Sequence, residues 1–183
     1  PCIVAEACEV PVVTHFRPMD HALGGTGAPL MQYLDYVAFR DIGPIMTLNI
    51  GGIANCQLAH ADRAKMMAFD TGPGNVMIDH VARVRLGQAY DKDGAVARSG
   101  KPDAKLMEQL KDHDFFKRPV PRSAWRLDFG STYADAFIAQ HSHLSTPDLL
   151  ATVTEFAAYA ITRSNTDNVR TLSDIKVIMA SGG

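Results

Sequence analysis

Residues 69–75 read Phe69-Asp-Thr-Gly-Pro-Gly-Asn75, a carboxylate followed closely by two glycines. Twenty positions upstream, a second glycine turn reads Asn49-Ile-Gly-Gly-Ile-Ala-Asn55. Each turn follows a short apolar run, Ile45–Leu48 before the first and Lys65–Phe69 before the second, so each is predicted to lie at a strand end. We expect the two strand ends to converge on one crevice. The first turn would offer bare backbone N–H groups and the second a carboxylate, the two things that a phosphoryl-transfer site needs.

The rest of the chain alternates between strand and helix patterns, which predicts an α/β layer that begins with an antiparallel hairpin. The predicted strands are Pro11–Phe16, Ile45–Ile50, Ile53–Ala59, Lys65–Phe69 and Ile175–Ala180, the last of them buried. The predicted helices cover residues 29–39, 75–86, 103–115, 131–141 and 147–163.

The composition narrows the class of protein. With 183 residues, of which 46% are hydrophobic, the chain can bury a core of single-domain size. A net charge of −2 gives no electrostatic footprint for nucleic acid or for an acidic membrane surface. No apolar run approaches the roughly 18–20 residues that a membrane span requires. The three cysteines show no Cys-x-x-Cys spacing, which favours a reduced, cytoplasmic protein without structural zinc.

The Gly51-Gly52 turn has two readings. Because glycine lacks a Cβ atom, a phosphate can approach this backbone closely and accept its N–H groups. The alternative is a tight hairpin turn with no ligand.

Asp70 also has two readings. A carboxylate at a strand end, with glycines beyond it, can act as a general base or anchor a metal ion. The alternative is an Asp that only forms a turn with Thr71 or caps the helix that begins near residue 75. Four further side chains are candidates for holding an anionic or hydroxylated substrate, although each could instead be a solvated surface residue: Arg17, Asp20, Arg122 and Arg126.

Taken together, seven collinear stretches resemble one family, anhydro-N-acetylmuramic acid kinase, which belongs to the actin/Hsp70/hexokinase superfamily. These stretches are Arg17-Pro-Met-Asp20, Ala22-Leu-Gly-Gly-Thr-Gly-Ala-Pro-Leu30, Leu48-Asn-Ile-Gly-Gly-Ile-Ala-Asn55, Phe69-Asp-Thr-Gly-Pro-Gly-Asn-Val-Met-Ile-Asp79, Tyr90-Asp-Lys-Asp-Gly94, Ala151-Thr-Val-Thr-Glu155 and Ser181-Gly-Gly183.

The resemblance implies a ribonuclease-H-like sheet with flanking helices, incomplete at both ends of this sequence. Residues 1–42 would be the end of an amino-terminal lobe and its connection. Residues 43–183 would belong to the carboxy-terminal lobe, truncated at the nucleotide glycine motif. The implied reaction opens 1,6-anhydro-N-acetylmuramic acid with water and phosphorylates O6 with ATP, giving N-acetylmuramic acid 6-phosphate in cell-wall sugar recycling.

The resemblance also implies roles for single residues. Asp70 matches the catalytic base. The matched nucleotide contacts are Asn49, Gly51, Gly52, Asn55, Gly72, Gly74, Gly182 and Gly183. The matched substrate contacts are Arg17, Asp20, Thr71 and Asn75. ATP and Mg²⁺ are the implied cofactors, with no metal site made by protein side chains alone. The implied partners are the small amino sugar and ATP, without nucleic acid or membrane, and a homodimer is possible.

Two departures from the family keep rival readings open. The family's amino-terminal Gly-Thr-Ser-x-Asp-Gly segment is absent from this sequence, and its Lys-Ser-Thr-Gly-Arg-Glu stretch appears as Arg122-Ser-Ala-Trp-Arg-Leu127. One rival is a related kinase for another sugar or a carboxylate. The other is a catalytically inactive module that binds sugar or nucleotide.

Overall fold

A four-stranded sheet forms the centre of the computed structural model, which describes residues 1–171 and 174–182 without the side chain of Arg126. Its strands are β1 (Ile45–Ile50), β2 (Ile53–Ala59), β3 (Met67–Pro73) and β4 (Val177–Gly182). They lie in the order β3–β2–β1–β4. Strand β2 is antiparallel to both β1 and β3, whereas β4 runs parallel to β1. The sheet is mixed, as expected for the α/β class.

The helices come before the sheet and between β3 and β4. They are α1 (Cys2–Cys8), α2 (Phe16–Ala22), α3 (Gln32–Phe39), α4 (Val76–Leu86), α5 (Ala95–Ser99), α6 (Ala104–Lys111), α7 (Arg126–Phe129), α8 (Ser131–Gln140) and α9 (Thr146–Ser164). Short 3₁₀ turns cover Arg63–Lys65, Lys92–Gly94 and Asp114–Lys117, and one π-helical turn, Asn165–Val169, follows α9.

The predicted hairpin is confirmed, but the third strand is longer than predicted. The sequence pattern ends this strand at Phe69, whereas β3 continues to Pro73. The glycine motif continues the ladder because Asp70 pairs with Asn55, and Pro73 pairs with Ile53, across an irregularity at Ala54/Asn55. Asp70 therefore lies inside a strand, where the backbone ladder fixes its position.

Helix α9 confirms the predicted helix over residues 147–163. The Ser145 hydroxyl accepts a hydrogen bond from the Asp148 N–H at 3.2 Å, and Pro147 stands in the first turn, so the start of the helix is well specified. Its apolar stripe is buried against α4, α5 and β3. Leu149, Leu150 and Phe156 are among its fully buried side chains.

Two apolar clusters make up the core. The larger lies among α4, α6, α8 and α9 and contains the edge-to-face rings of Phe115, Phe116, Phe129 and Phe156. The smaller lies on one face of the sheet, where Met46, Leu48, Cys56, Leu58 and Phe69 pack with Val169. Because the side chains of successive strand residues point to opposite faces of the sheet, the strand residues that alternate with this cluster, such as Thr47, Gln57 and Asp70, lie on the opposite face.

Two predicted strands differ from the structure. Residues 11–15 form no strand and lead into α2, because a β-branched run becomes a strand only where it finds a partner to pair with. The final strand was predicted to be buried, but Val177, Ile178 and Met179 of β4 are 43–50% exposed. Within the described residues, β4 is an edge strand that pairs only with β1. The division at residues 42/43 stays a prediction.

Candidate active site

The second face of the sheet carries a row of polar side chains across all four strands. Asp70 of β3 pairs with Asn55 of β2, Asn55 pairs with Asn49 of β1, and Asn49 pairs with Ser181 of β4. All four residues line one cavity of about 590 Å³, which we call the cleft. The strand register therefore brings together residues that are distant in the sequence.

Asp70 is buried at the end of this row and is 6% exposed. Its Oδ2 atom accepts the Ala124 N–H at 2.7 Å, while no group in the described part of the chain donates to Oδ1. The Asp70 N–H donates to the Arg122 carbonyl at 2.8 Å, so the loop before α7 fixes both the backbone and the side chain. One carboxylate oxygen is thus held, and the other is left to a ligand in the cleft.

The surroundings of Asp70 favour its protonated form. Burial raises the pKa of the Asp70 carboxyl above its ordinary value, while the Ala124 N–H and the positive charges of Arg17 and Arg122 act in the opposite direction. A carboxylate with a raised pKa accepts a proton more readily than one in water, as a general base at neutral pH requires.

This raised pKa predicts a pH dependence of stability. Because the folded protein binds the Asp70 proton more tightly than the unfolded chain, the contribution of Asp70 is fully present below the ordinary Asp pKa of about 3.9 and is lost as the pH rises through the raised value. Asp70→Asn should therefore have the same Tm as the wild type near pH 4 and a higher Tm at neutral pH. For a chain of this size, each kcal/mol of unfolding free energy corresponds to about 2–4 °C in Tm. Melting curves of both proteins across this range test it, and a constant difference in Tm would contradict it.

The Gly51-Gly52 bend is held in place by the start of α4. The carbonyl of Gly51 accepts the Asn75 N–H at 2.9 Å, and the carbonyl of Gly52 accepts the N–H groups of Gly74 and Val76 at 2.9 and 3.0 Å. The N–H groups of Gly51 and Gly52 donate to no protein group within residues 1–171 and 174–182. The donors at the start of α4 are therefore used, and those of the bend are free for a ligand.

Three other predicted nucleotide glycines lie where a side chain would meet protein atoms. A Cβ atom on Gly74 would lie 2.3 Å from the Gly51 carbonyl oxygen, and one on Gly182 would lie 2.4 Å from the Ile50 carbonyl oxygen. Gly72, with φ +142°, would place a Cβ atom 2.9 Å from the Ala160 Cβ. Each glycine permits a close backbone approach, but none of the three lines the cleft, and neither do Gly51 and Gly52. Gly183 lies outside the described residues.

The four predicted substrate residues separate into two groups. Arg17 lines the cleft with Asp70, and its guanidinium donates to the Gly27 carbonyl. Asp20 instead accepts the Gly27 N–H at 2.7 Å and so holds the turn over residues 24–27. Thr71 is fully buried and donates to the Ala54 carbonyl, and the Asn75 amide donates to the Ile50 carbonyl. The structure brings Arg17 to the cleft and places the other three in supporting contacts.

Arg122 lies beneath the site and does not line the cleft. Its guanidinium stacks 4.5 Å from the Phe115 ring centroid and donates to the Arg118 carbonyl and the Ser164 hydroxyl, each at 3.2 Å. With 7% of its surface exposed, it supports the loop that supplies the Ala124 N–H to Asp70. Neither reading of Arg122, as a residue that grasps substrate or as a solvated surface residue, agrees with this buried position. The side chain of Arg126 lies outside the described part.

Sequence reasoning missed three polar residues of the cleft, namely Asp35 of α3, Thr47 of β1 and Gln57 of β2. Thr47 and Asn49, like Asn55 and Gln57, stand two positions apart in otherwise apolar strands. That spacing of two was an available signal for a polar sheet face. Nothing in the sequence around Asp35 indicated that this acid would point at β1.

No cluster of three or more His, Cys, Asp or Glu side chains suited to a metal ion occurs within residues 1–171 and 174–182. The cleft instead offers oxygen donors from Asp70, Asn49 and Asn55, the kind of ligand that Mg²⁺ accepts together with substrate phosphates. In the same described ranges, no helix is both long and apolar enough to cross a membrane.

A mixed sheet with helices packed on its apolar face and a carboxylate in a cleft on its polar face is consistent with a partial actin/Hsp70/hexokinase-type fold. The chain belongs to the anhydro-N-acetylmuramic acid kinase family, because the model of that family matches residues 1–183.

Named relatives agree with this family membership. A protein of Francisella tularensis subsp. novicida is 38% identical over 183 residues, covering 98% of this chain and 48% of that protein. One from Salinibacter ruber is 40% identical over 188 residues, covering 100% and 47%, and one from Clostridioides difficile is 34% identical over 186 residues, covering 100% and 49%. All three are named anhydro-N-acetylmuramic acid kinase. The chain spans about half the length of these relatives.

Proposed function

We propose that the protein carrying this sequence is an ATP-dependent kinase that hydrolytically opens 1,6-anhydro-N-acetylmuramic acid and phosphorylates O6. Its product would be N-acetylmuramic acid 6-phosphate, formed in the recycling of cell-wall sugars. Family membership supports the kinase activity. The observation that carries the mechanism is the Asp70 carboxylate, which is buried, held through one oxygen and open to the cleft through the other.

The strand register supports a sugar site at Asp70 and a phosphate site at the Gly51-Gly52 bend that lie close to each other. Asn55, the partner of Asp70, is three residues from Gly52 along the chain, which corresponds to about 10 Å where the backbone is extended. A sugar beside Asp70 would then lie about this far from nucleotide phosphates on the free N–H groups of the bend, which is itself outside the cleft lining. Arg17 lines the sugar side and can donate to its hydroxyl or carboxylate oxygens.

In the proposed reaction, Asp70 takes one proton from a water molecule whose oxygen bonds to the anomeric carbon. The bond from that carbon to O6 breaks, and its electron pair stays on O6. This oxygen then bonds to the γ-phosphorus as the bond to ADP breaks. Mg²⁺ bound with the nucleotide supplies charge neutralisation of the phosphates. The residues of this chain hold the water, orient the sugar and donate N–H groups to phosphate oxygens.

Replacing Gly52 with alanine separates the ligand-binding reading of the bend from the plain-turn reading. A Cβ atom there would lie 3.7 Å from the Val76 Cβ, an ordinary contact, so we expect the Tm to stay within about 1 °C. The same methyl group would stand where phosphate must approach, so the Kd for Mg-ADP should rise about tenfold, equivalent to about 1.4 kcal/mol. Calorimetric titration of both proteins tests this.

Gly87→Ala is the matched control for Gly52→Ala. Gly87 ends α4 with φ +69°, and a Cβ atom added there would meet no other atom within 4 Å, so alanine strains only the backbone. It should lower the Tm slightly and leave nucleotide affinity unchanged. Unaltered nucleotide affinity in Gly52→Ala would leave the bend as a turn with no ligand.

Two rival functions have their own tests. A panel of anhydro-sugars, sugars and carboxylates with coupled ADP detection would show whether a different acceptor is preferred. Calorimetry would identify an inactive module, which would bind sugar without any ATP turnover. The altered stretch over residues 122–127 motivates both tests, because it supplies the Ala124 N–H to Asp70.

We also propose that this kinase acts in the cytoplasm, where ATP is available, and forms a homodimer. Only the family resemblance supports the dimer, and light scattering of the purified protein tests it.

A further inference from the structure

A chain of four polar side chains, all of which line the cleft, runs from Asp35 of α3 through Thr47 and Gln57 to Asn55. The Thr47 hydroxyl oxygen lies 2.6 Å from Asp35 Oδ2 and 2.6 Å from the Gln57 amide. The other end of that amide lies 2.8 Å from the Asn55 amide. Asp35 and Gln57 line the cleft but are only 8% and 4% exposed, so little of either side chain meets solvent. We therefore expect most of their hydrogen bonds to be made within the chain.

The hydroxyl of Thr47 determines which group donates and which accepts in each of these hydrogen bonds. It has one hydrogen to donate, whereas a carboxylate at Asp35 can only accept, so the hydrogen goes to Asp35. An amide oxygen of Gln57 at 2.6 Å from Thr47 would then face an oxygen with no hydrogen between them. Rotating the Gln57 side-chain amide by 180° brings its NH₂ group next to Thr47, and the Thr47 hydroxyl oxygen then accepts a hydrogen bond from it.

The same rotation propagates to Asn55. The Gln57 oxygen now faces Asn55, so Asn55 must donate its own NH₂ group to it, and every contact then has one donor and one acceptor. Asn55 consequently presents its oxygen, Oδ1, away from Gln57. Asn55 lines the cleft together with Asp70, its register partner next to the strand irregularity at Ala54/Asn55.

We propose that Asn55 and Asp70 together hold the attacking water through two acceptors, and that Asp35, Thr47 and Gln57 are positioning residues that keep the Asn55 oxygen turned to the cleft. Water has two protons and is the ligand group that fits two adjacent acceptors. Asp70 takes one proton, while the other stays bonded to the oxygen of the new hydroxyl group, which donates a hydrogen bond to the Asn55 side-chain oxygen. The lone pair of the water is then left to form the bond to carbon. This inference rests on the proposed function.

Neutron diffraction from crystals of the protein tests the hydrogen positions without any activity. We expect the Thr47 deuteron to point at Asp35, and the ND₂ groups of Gln57 and Asn55 to point at Thr47 and Gln57 respectively. A deuteron on Asp35, or an Asn55 ND₂ group directed into the cleft, would overturn the proposal. This result is independent of whether the protein phosphorylates the anhydro-sugar, so the two failures can be told apart.

Kinetics of the full protein test the positioning role. Thr47→Val removes the hydroxyl at nearly constant volume and should lower kcat about tenfold, the rate equivalent of one hydrogen bond, with the KM values for sugar and ATP within about twofold. Thr47→Ser keeps the hydroxyl and should restore most of the rate. Asn55→Ala should lower kcat further, because it removes the acceptor itself. Equal kcat values for the valine and serine variants would overturn the role of the chain.

Discussion

Asp70→Asn is expected to lower kcat of the full protein by about 10²–10⁴-fold, the usual contribution of a positioned general base. Asparagine has nearly the same shape and can still accept the Ala124 N–H, so the loop before α7 should stay in place. The proton acceptor is lost, however, and with it the activation of water. The KM for ATP should change little, since Asp70 lies several residues from the bend. Steady-state rates with coupled ADP detection measure the effect.

Asp41→Asn is a suitable control for this substitution. Asp41 is an exposed carboxylate that pairs with Arg40, and it does not line the cleft. Its loss should leave the rate unchanged. If Asp70→Asn kept most of the wild-type kcat, Asp70 would be removed from the role of base, and the bound water would need another proton acceptor.

Gly74→Ala should cause the largest loss of stability among the substitutions considered. The added methyl group would lie 2.3 Å from the Gly51 carbonyl oxygen and 3.3 Å from the Ala54 nitrogen, which are backbone atoms that cannot rotate away. The junction between the bend and α4 must open, at a cost of about 2–4 kcal/mol. The Tm should fall by about 10 °C, measured by thermal unfolding followed by circular dichroism.

Gly52→Ala provides the comparison for Gly74→Ala within the same junction. Both substitutions add one methyl group, but only that on Gly74 meets backbone atoms at short range. A similar Tm for the two variants would show that the bend can move away from α4 at little cost. The hydrogen bonds from Gly74, Asn75 and Val76 would then contribute less than their geometry indicates.

Short-range sequence patterns were sufficient to predict the hairpin and two of the helices. The hairpin over residues 45–59 and the helices over 75–86 and 147–163 agree with β1, β2, α4 and α9, because strand alternation, apolar spacing and helix caps act over short distances. The prediction for β4 was correct in type but wrong in burial. Burial depends on what covers a strand, and the sequence of the strand does not specify that.

The candidate site was predicted only in part for the same reason. The two glycine motifs gave Asp70 and the bend because each motif is contiguous. Asp35 and Thr47 meet only after α3 packs on the sheet, so no local pattern could pair them. Both roles considered for Arg122, contact with substrate and a place on the surface, require an accessible guanidinium, yet the rings of Phe115 and Phe116 and several carbonyl oxygens hold it inside. Such pairings are tertiary and become visible only in the folded chain.

The parallel pairing of β1 with β4 has a consequence for the order of events during folding. Ser181 reaches the cleft by pairing with Asn49, a residue more than a hundred positions earlier. Contacts between such distant segments form late, because a long loop must close first. We therefore expect β1, β2 and β3 to pair before β4 joins β1, so that the cleft lacks its β4 wall until this last pairing of the sheet forms. A small molecule that fills the completed cleft should therefore stabilise the state in which β4 is paired.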